Sequence, residues 1–261
     1  TYRPSSEHGP GNQRHLFPLV SRAVLRGRPV GAVHMRHRIE VLYEDNHILA
    51  LNKPCGLLTQ PSRFSGDSLE DRAKAMIKES RGKPGNVFLH AVHRLDRVTS
   101  GIALFSLTGK SLSRMNEQMR RNEVTRIYHA VITGDLPAEQ GVLEHFLRHS
   151  HLRSVTAGAN DPGAKKALLR YRSLARQGRL VLVEVTLETG RYHQIRAQLS
   201  AAGCPVVGDS LYGSAAAYVE GGVALHHRRM EFAHPVRRDR VIVEADYPAE
   251  WPVYPDSGSL S

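Results

Sequence analysis

The sequence is poor in cysteine and has no long apolar run, and each shortage excludes a class of protein. Its two cysteines, Cys55 and Cys204, lie far apart and form no CxxC pair, which argues against a zinc ribbon or a disulfide framework. We therefore expect a reducing location, either the cytoplasm or, in a eukaryote, the matrix of an organelle. No apolar stretch approaches the roughly 20 residues that cross a bilayer, so no membrane association is expected.

Acidic residues are scarce relative to basic ones. Lysine and arginine number 36 against 25 aspartates and glutamates, which gives a formal net charge of +11 and an isoelectric point of about 10.0. This balance favours a polyanionic partner, and nucleic acid is the leading candidate. With 261 residues, 41% of them hydrophobic, the chain can build one large domain with a sizeable core. Nothing in the sequence bears directly on oligomers, and we expect a monomer.

The first 38 residues differ in composition from the rest. They contain seven arginines but a single acid, Glu7, and they lack the apolar segment of a secretory signal. Prolines at positions 4, 10, 18 and 29 would interrupt the long amphipathic helix of an organellar transit segment. We predict a basic arm over residues 1–38 and a compact domain over residues 39–261.

Strand patterns outnumber helix patterns in the predicted domain. Apolar, β-rich runs include "HILAL", "IALFSLT", "TRIYHAVITG", "RLVLVEVTLETG" and "VIVEADYP". Helical spacing occurs in "DSLEDRAKAMIKES", which Asp67 or Ser68 can cap, in "GKSLSRMNEQMRRN", and in "RYHQIRAQLSAAG", which Gly203 can end. Because the two kinds of element do not alternate regularly, we predict an α+β fold with a mixed, largely antiparallel sheet and flanking helices.

A carboxylate stands between two arginines in "HAVHRLDRVTSG", which covers residues 90–101. Asp96 lies between Arg94 and Arg97, and "TSG" follows. Aspartate and serine favour turns because their side chains bond to nearby backbone, so a surface turn is one explanation. A reactive carboxylate that serves a polyanionic substrate is the other.

Three further features favour the chemical explanation. Tyr128 interrupts the apolar face of a strand, "GRYHQIR" places Arg191 and Arg196 at the start of a helix, and "GDSLYG" forms a loop flanked by glycines that allows close approach. By contrast, His145 and His149 have the spacing of a metal pair but no HExxH glutamate, so no metal site is expected.

These segments resemble a known family. "HRLDRVTSG", "RIYHAVITG" and "TGRYHQIRAQLSAAGCPVVGDSLYG" resemble the three hallmark motifs of the RluA family of pseudouridine synthases, and "VLYEDNHILALNKPCGLLTQPS" is similar to the family's first segment. The resemblance runs from about Ile39 to the C-terminal strand. It implies the pseudouridine synthase fold with an active-site cleft across the sheet. It also implies isomerisation of uridine to pseudouridine in structured ribosomal or transfer RNA, without cofactor or metal.

The resemblance also implies roles for individual residues. Asp96 corresponds to the catalytic aspartate, and Arg196 to the arginine that pairs with it. Tyr128 corresponds to the tyrosine that lies against the target base and takes part in proton removal. Arg94 corresponds to the arginine that helps to displace that base in some members. The other motif residues expected to contact substrate are Thr99, Arg191, His193 and Gln194.

Physical chemistry agrees with these roles. An ionised carboxylate can act as a nucleophile or can abstract a sugar proton, and the sequence leaves both routes open. Pairing with Arg196 would keep Asp96 ionised and oriented. Removing a base from its stack costs a few kcal/mol, and a planar cation such as Arg94 would partly offset that cost by filling the gap.

The chain departs from the family pattern in a few places. Tyr192 stands where threonine or serine is common, and "AQL" replaces the frequent "VHL". Both changes neighbour Arg196 and concern substrate contacts. Residues 1–38 are also too short and too rich in proline for the small RNA-binding domain that precedes many relatives, so we expect a catalytic domain over residues 39–261 preceded by the basic arm.

Two other functions are consistent with parts of the sequence. The basic charge suits an RNA-binding or RNA-folding factor in which catalysis is secondary or lost, although such a factor has no need for a paired carboxylate. A glycosidase acting on free sugars usually needs two acids flanking one bond, and no second acid stands out near Asp96.

Overall fold

A computed structural model describes residues 39–62, 67–82 and 85–255. The basic arm predicted for residues 1–38 lies outside the described residues. Within them, the predicted α+β architecture is confirmed: a single sheet with helices packed on it.

The sheet has eleven strands in the described residues, and nine of them follow the order β1-β2-β4-β10-β5-β9-β8-β6-β7. The two remaining strands lie outside this order, where β3 pairs with β4 and β11 pairs with β10. The strands are β1 (Glu40–Glu44), β2 (Ile48–Lys53), β3 (His90–Ala91), β4 (Ser100–Ser106), β5 (Thr125–Thr133), β6 (Gln140–Ser150), β7 (Arg153–Ala157), β8 (Lys165–Gln177), β9 (Leu180–Leu187), β10 (Leu225–Ala233) and β11 (Arg240–Glu244). Among these pairings only β4 with β10 is parallel, so the predicted mixed, largely antiparallel sheet is confirmed.

Three α-helices occur in the described residues, near the predicted positions: α1 (Leu69–Arg81), α2 (Gly109–Arg120) and α3 (Gln194–Ala201). Ser68, rather than Asp67, caps α1, because its side chain accepts a hydrogen bond from the Asp71 backbone N–H. The third helix begins three residues later than the sequence pattern indicated. His193 has a left-handed backbone with φ of 50°, which interrupts the helical conformation and leaves Arg191 in the preceding loop.

The alternation of side chains along β2 explains how this part of the sheet carries a helix on each of its two faces. Leu49 and Leu51 join the apolar cluster that contains Leu69 and Ile77 of α1. Ile48 and Ala50 point to the opposite face and join the cluster that contains Met115 of α2. The helices α1 and α2 therefore cover opposite faces of the sheet. A third cluster, built on β5, β9 and α3, underlies the motifs identified in the sequence.

The central strand β10 was not predicted, because "LHHRRMEFA" contains five titratable residues and no clean alternation. His226 and His227 nevertheless have no exposed surface. His226 Nδ1 lies 2.9 Å from the Ser100 hydroxyl, and His227 Nδ1 lies 2.8 Å from the Ile102 carbonyl oxygen. These hydrogen bonds offset part of the cost of burying the polar rings, so the strand can lie between β4 and β5, although His227 Nε2 is buried without a partner among the described residues.

Glycine is required where β4 meets β10. Gly101 has φ of 104°, and a Cβ atom there would lie 2.4 Å from the His227 carbonyl oxygen. The obstacle is backbone at the centre of the sheet, and it cannot move aside without breaking the parallel pairing of His226 and His227 with Ser100 and Gly101. The close approach of Gly101 to the backbone of His227 fixes the position of Gly101, which ends the segment that carries Asp96.

We predict that Gly101→Ala lowers the free energy of unfolding by about 3–5 kcal/mol, because an unfavourable φ and a clash with backbone add together. Gly213→Ala is the matched control, since Gly213 has φ of 90° but no atom within 4 Å of an added Cβ. The control should lose only about 1–2 kcal/mol. Urea denaturation of both variants measures the difference, and equal losses would contradict the close approach at Gly101.

Candidate active site

Asp96 lies in the turn between β3 and β4, closed by a 3.1 Å hydrogen bond from the Thr99 N–H to the Asp96 carbonyl oxygen. Its side chain is 23% exposed, so the carboxylate is accessible from solvent. Arg196 Nη1 lies 3.3 Å from Asp96 Oδ2, and His193 Nε2 lies 3.6 Å from the same oxygen. The structure therefore brings together Asp96 and Arg196, as the sequence predicted.

Arg196 is held in place by a second carboxylate, that of Asp209. Arg196 Nε donates to Asp209 Oδ2 at 2.6 Å, and Nη2 donates to Oδ1 at 2.8 Å. Both side chains are buried. Burial alone would lower the pKa of Arg196, but the two bonds from Asp209 and the charge of Asp96 outweigh it and raise that pKa. The bidentate pair fixes the guanidinium plane and leaves Nη1 directed at Asp96.

Sequence reasoning missed Asp209, which it treated only as part of the glycine-flanked loop "GDSLYG". The loop folds around this residue: the backbone N–H groups of Tyr212 and Ser214 each donate to the Asp209 carbonyl oxygen at 3.0 Å. The sequence did contain a signal for this role. An acid in a loop whose glycines allow close approach of another segment needs a basic partner if it is buried. The identity of that partner depends on tertiary structure.

Tyr128 occupies the middle of the sheet, on β5 between β10 and β9. Its ring stacks on His227, with ring centroids 4.3 Å apart and an interplanar angle of 10°. Burial raises the pKa of Tyr128 above its usual range; the charge of Arg126 opposes this rise and that of Asp96 adds to it. The hydroxyl is therefore neutral near pH 7, and no described residue hydrogen-bonds it.

His193 is neutral as well. Burial lowers its pKa to about 4, and the charge of Asp96 offsets only part of this effect. Its Nδ1 lies 3.1 Å from the hydroxyl of Tyr212, which in turn accepts from the Ser154 N–H at 2.8 Å. His193 is thus anchored on one side and faces Asp96 on the other.

The remaining residues predicted to contact substrate form two groups, one buried and one exposed. Gln194 and Thr99 are 3% and 2% exposed. The Gln194 amide is engaged within its loop, where Oε1 accepts from the Thr189 hydroxyl at 2.7 Å and from the Arg191 N–H at 2.9 Å. Arg94 and Arg191 are exposed, and Arg191 Nε donates to the Lys166 carbonyl oxygen at 2.9 Å. Substrate contact by these four residues stays a prediction.

Lys53 is a further site residue that the sequence did not reveal. It has no exposed surface, and its Nζ donates to the carbonyl oxygens of Pro54, Leu57 and Arg97 at 3.0, 2.8 and 3.2 Å. Burial lowers its pKa to about 7, although the charges of Cys55 and Asp96 oppose this shift. Lys53 ties the loop after β2 to the residue that follows Asp96, and so helps to position the turn.

In residues 39–62, 67–82 and 85–255, no three His, Cys, Asp or Glu side chains are grouped so as to hold a metal ion. No helix in the same ranges combines the length and apolar character needed to cross a membrane.

We predict that Asp209→Ala and Arg196→Met each lower the free energy of unfolding by about 3–5 kcal/mol. Arg196→Met leaves Asp209 buried and uncompensated, and Asp209→Ala leaves buried Arg196 with only its 3.3 Å contact to Asp96. The double variant removes both charges, and its loss should be smaller than the sum of the single losses by at least about 1 kcal/mol. Urea denaturation of the four proteins gives this coupling energy. Additive losses would mean that the pair does not hold the loop to α3.

Comparisons with known proteins agree with this geometry. The sequence model of the RNA pseudouridylate synthase family matches residues 47–201. An uncharacterized RNA pseudouridine synthase, YhcT of Bacillus subtilis, is 32% identical over 214 residues, which cover 81% of this chain and 70% of that protein. Ribosomal large subunit pseudouridine synthase D of Xylella fastidiosa is 32% identical over 225 residues, 81% of this chain and 67% of the relative.

The fold is shared with solved structures. That of human RNA pseudouridylate synthase domain containing 4 superposes with a TM-score of 0.67 at 22% identity, covering 80% of this chain and 88% of that one. The family match and the similarity to these relatives together identify the family of this chain. The chain belongs to the RluA family of RNA pseudouridine synthases, and is an isomerase that converts uridine in RNA to pseudouridine.

Proposed function

We propose that this enzyme modifies uridines in structured ribosomal or transfer RNA, and that Asp96 is its catalytic carboxylate. The observation that carries the assignment of Asp96 is its pairing: a partly exposed carboxylate lies 3.3 Å from a buried arginine that is itself fixed by Asp209. Substrate RNA is supported by the net charge of +11. The name of the relative from Xylella fastidiosa supports ribosomal RNA as one substrate class.

The reaction breaks the bond between uracil N1 and ribose C1′ and forms a bond between C5 and C1′. The hydrogen on C5 leaves as a proton, and N1 gains one, so the product is an isomer of the substrate. Asp96 can begin this sequence by attacking C1′ or by removing a sugar proton, and both routes need the ionised form that Arg196 stabilises.

Tyr128 is the proposed group for proton transfer at C5. Because burial raises its pKa and keeps the hydroxyl neutral, it can accept the C5 proton only while releasing its own, and N1 of the same base, which gains a proton in the reaction, is the acceptor that balances this step. The stacking on His227 holds the ring still during this relay. The neutral state of His193 leaves Arg196 as the cation next to Asp96 in this constellation.

Tyr192, which departs from the family pattern, is proposed to stack on a base near the target uridine. Its side chain is 45% exposed, and its ring packs on His193 with centroids 3.8 Å apart and an angle of 21°. Its hydroxyl donates to the Leu152 carbonyl oxygen at 3.3 Å, which fixes the ring against the β6–β7 hairpin. A rigid, exposed aromatic ring beside the catalytic carboxylate suits an unstacked base.

A reducing compartment such as the cytoplasm, and a monomeric state, complete the proposal. Cys55 and Cys204 are both free thiols, which is compatible with such a compartment. Sedimentation of the purified chain tests the monomeric state.

We predict that Asp96→Ala abolishes catalysis, with a loss of at least about 10³-fold, because both routes depend on the carboxylate. Release of tritium from bulk cellular RNA labelled at carbon 5 of uracil measures the isomerisation directly. Asp246→Ala is the control, since that side chain is 82% exposed, and it should retain full activity. Full activity of Asp96→Ala would refute the role of Asp96. RNA binding without tritium release by the unaltered chain would favour the RNA-binding factor.

We predict that Tyr192→Ala weakens RNA binding by about 1–3 kcal/mol through loss of one stacking contact, whereas Tyr192→Phe keeps most of the affinity. Tyr254, which is 53% exposed, provides the matched control as Tyr254→Ala. Fluorescence anisotropy with labelled cellular RNA compares the three variants. Equal affinities of Tyr192→Ala and Tyr254→Ala would exclude the stacking role.

A further inference from the structure

The described residues contain three buried lysine or arginine side chains, Lys53, Arg126 and Arg196. Lys53 donates to three carbonyl oxygens, and Arg196 bonds to Asp96 and Asp209. Arg126 is 9% exposed, yet it forms no ion pair or hydrogen bond with any described residue, and its Nε is buried without a partner. A guanidinium is a permanent cation in proteins, and one that is buried without compensation destabilises the fold.

Arg126 belongs to the active site by position. It stands two residues before Tyr128 on β5, so both side chains project from the same face of the strand. Its charge acts on the neutral rings of Tyr128, His93 and His227, whose pKa values are set mainly by burial. None of these three neighbours is an anion.

The loop before α3 leaves the guanidinium approachable. A Cβ atom at Gly190 would lie 3.0 Å from Arg126 Nη1, and Gly190 itself is exposed. Its φ lies outside the left-handed region, so the backbone does not require glycine there. The absence of a side chain instead keeps the surface above Arg126 open. Gln194 holds the loop in this position by accepting from Thr189 and Arg191.

We propose that Arg126 binds a backbone phosphate of the RNA substrate at the edge of the active site. The inference rests on the proposed entry of RNA at Asp96. The planar fork of a guanidinium matches two phosphate oxygens, and a glycine lets a backbone approach closely. Phosphate supplies the negative charge that the protein does not, so the cost of burying Arg126 in the free protein is offset when RNA binds. Exposed Arg191, next to Gly190, extends the same basic surface.

The test compares the unaltered chain with Arg126→Met, Arg126→Lys and Arg179→Met. Arg179 is exposed and lies in the β8–β9 turn at the opposite end of β5, so its loss changes the net charge equally without touching the site. Binding of labelled bulk cellular RNA is measured over a range of salt concentrations, and urea denaturation is measured without RNA. Tritium release by the unaltered chain is recorded separately and tests the proposed function by itself.

We expect Arg126→Met to bind RNA roughly 10- to 100-fold more weakly. The slope of log affinity against log salt should become shallower by about 0.9, as the loss of one phosphate contact requires. Arg126→Lys should keep the slope, and Arg179→Met should keep both slope and affinity.

Without RNA, Arg126→Met should have a higher urea midpoint than the unaltered chain, because an uncompensated buried charge has been removed. A purely structural arginine would give the opposite change.

Three results would overturn the proposal: a lower urea midpoint for Arg126→Met, unchanged affinity, or weaker binding with an unchanged salt slope, which would indicate contact with a base. If the unaltered chain releases no tritium while Arg126→Met still shows the shallower slope, the phosphate site stands and the catalytic proposal fails.

Discussion

The buried pair between Arg196 and Asp209 is the interaction on which the active site depends. Two hydrogen bonds of 2.6 and 2.8 Å join α3 to the loop that follows it and set the plane of the guanidinium. The single nitrogen left over faces Asp96, which lies in a different part of the chain. Because an ion pair out of water must be well satisfied to persist, the geometry around Arg196 tolerates little variation. The orientation of the Asp96 carboxylate is thereby set from outside its own turn.

The site concentrates charge on a few groups and keeps its rings neutral. Burial lowers the pKa of His193 and raises that of Tyr128, so neither ring carries charge near pH 7. The fixed charges that act on them belong to Asp96, Asp209, Arg196 and Arg126. Where these charges are buried, they interact more strongly than they would in water. Preorganised charges of this kind stabilise a reacting sugar and base without further rearrangement.

Buried cations are accommodated here in different ways, with consequences for stability. Carboxylates compensate Arg196 and raise its pKa, whereas Lys53 has only backbone carbonyl oxygens as partners and burial lowers its pKa to about 7. Arg126 has no such partner among the described residues, and its burial there destabilises the free protein. Functional sites commonly sacrifice stability in this way, since a group that the protein itself satisfied would be less available to a ligand.

The sequence by itself determined the fold class and the positions of about half of the strands and of the three helices, because periodicity is a local property of the chain. The pairing of Asp96 with Arg196 followed from motifs that resemble those of the family. It did not reveal β10, whose buried histidines form hydrogen bonds with Ser100 and Ile102. Nor did it show that Asp209 holds Arg196, that Lys53 anchors the turn of Asp96, or that Arg126 has no partner among the described residues. Each of these features depends on groups that lie far apart in the chain and come into contact only in the folded sheet. Burial and pairing result from those contacts, so local sequence does not show them.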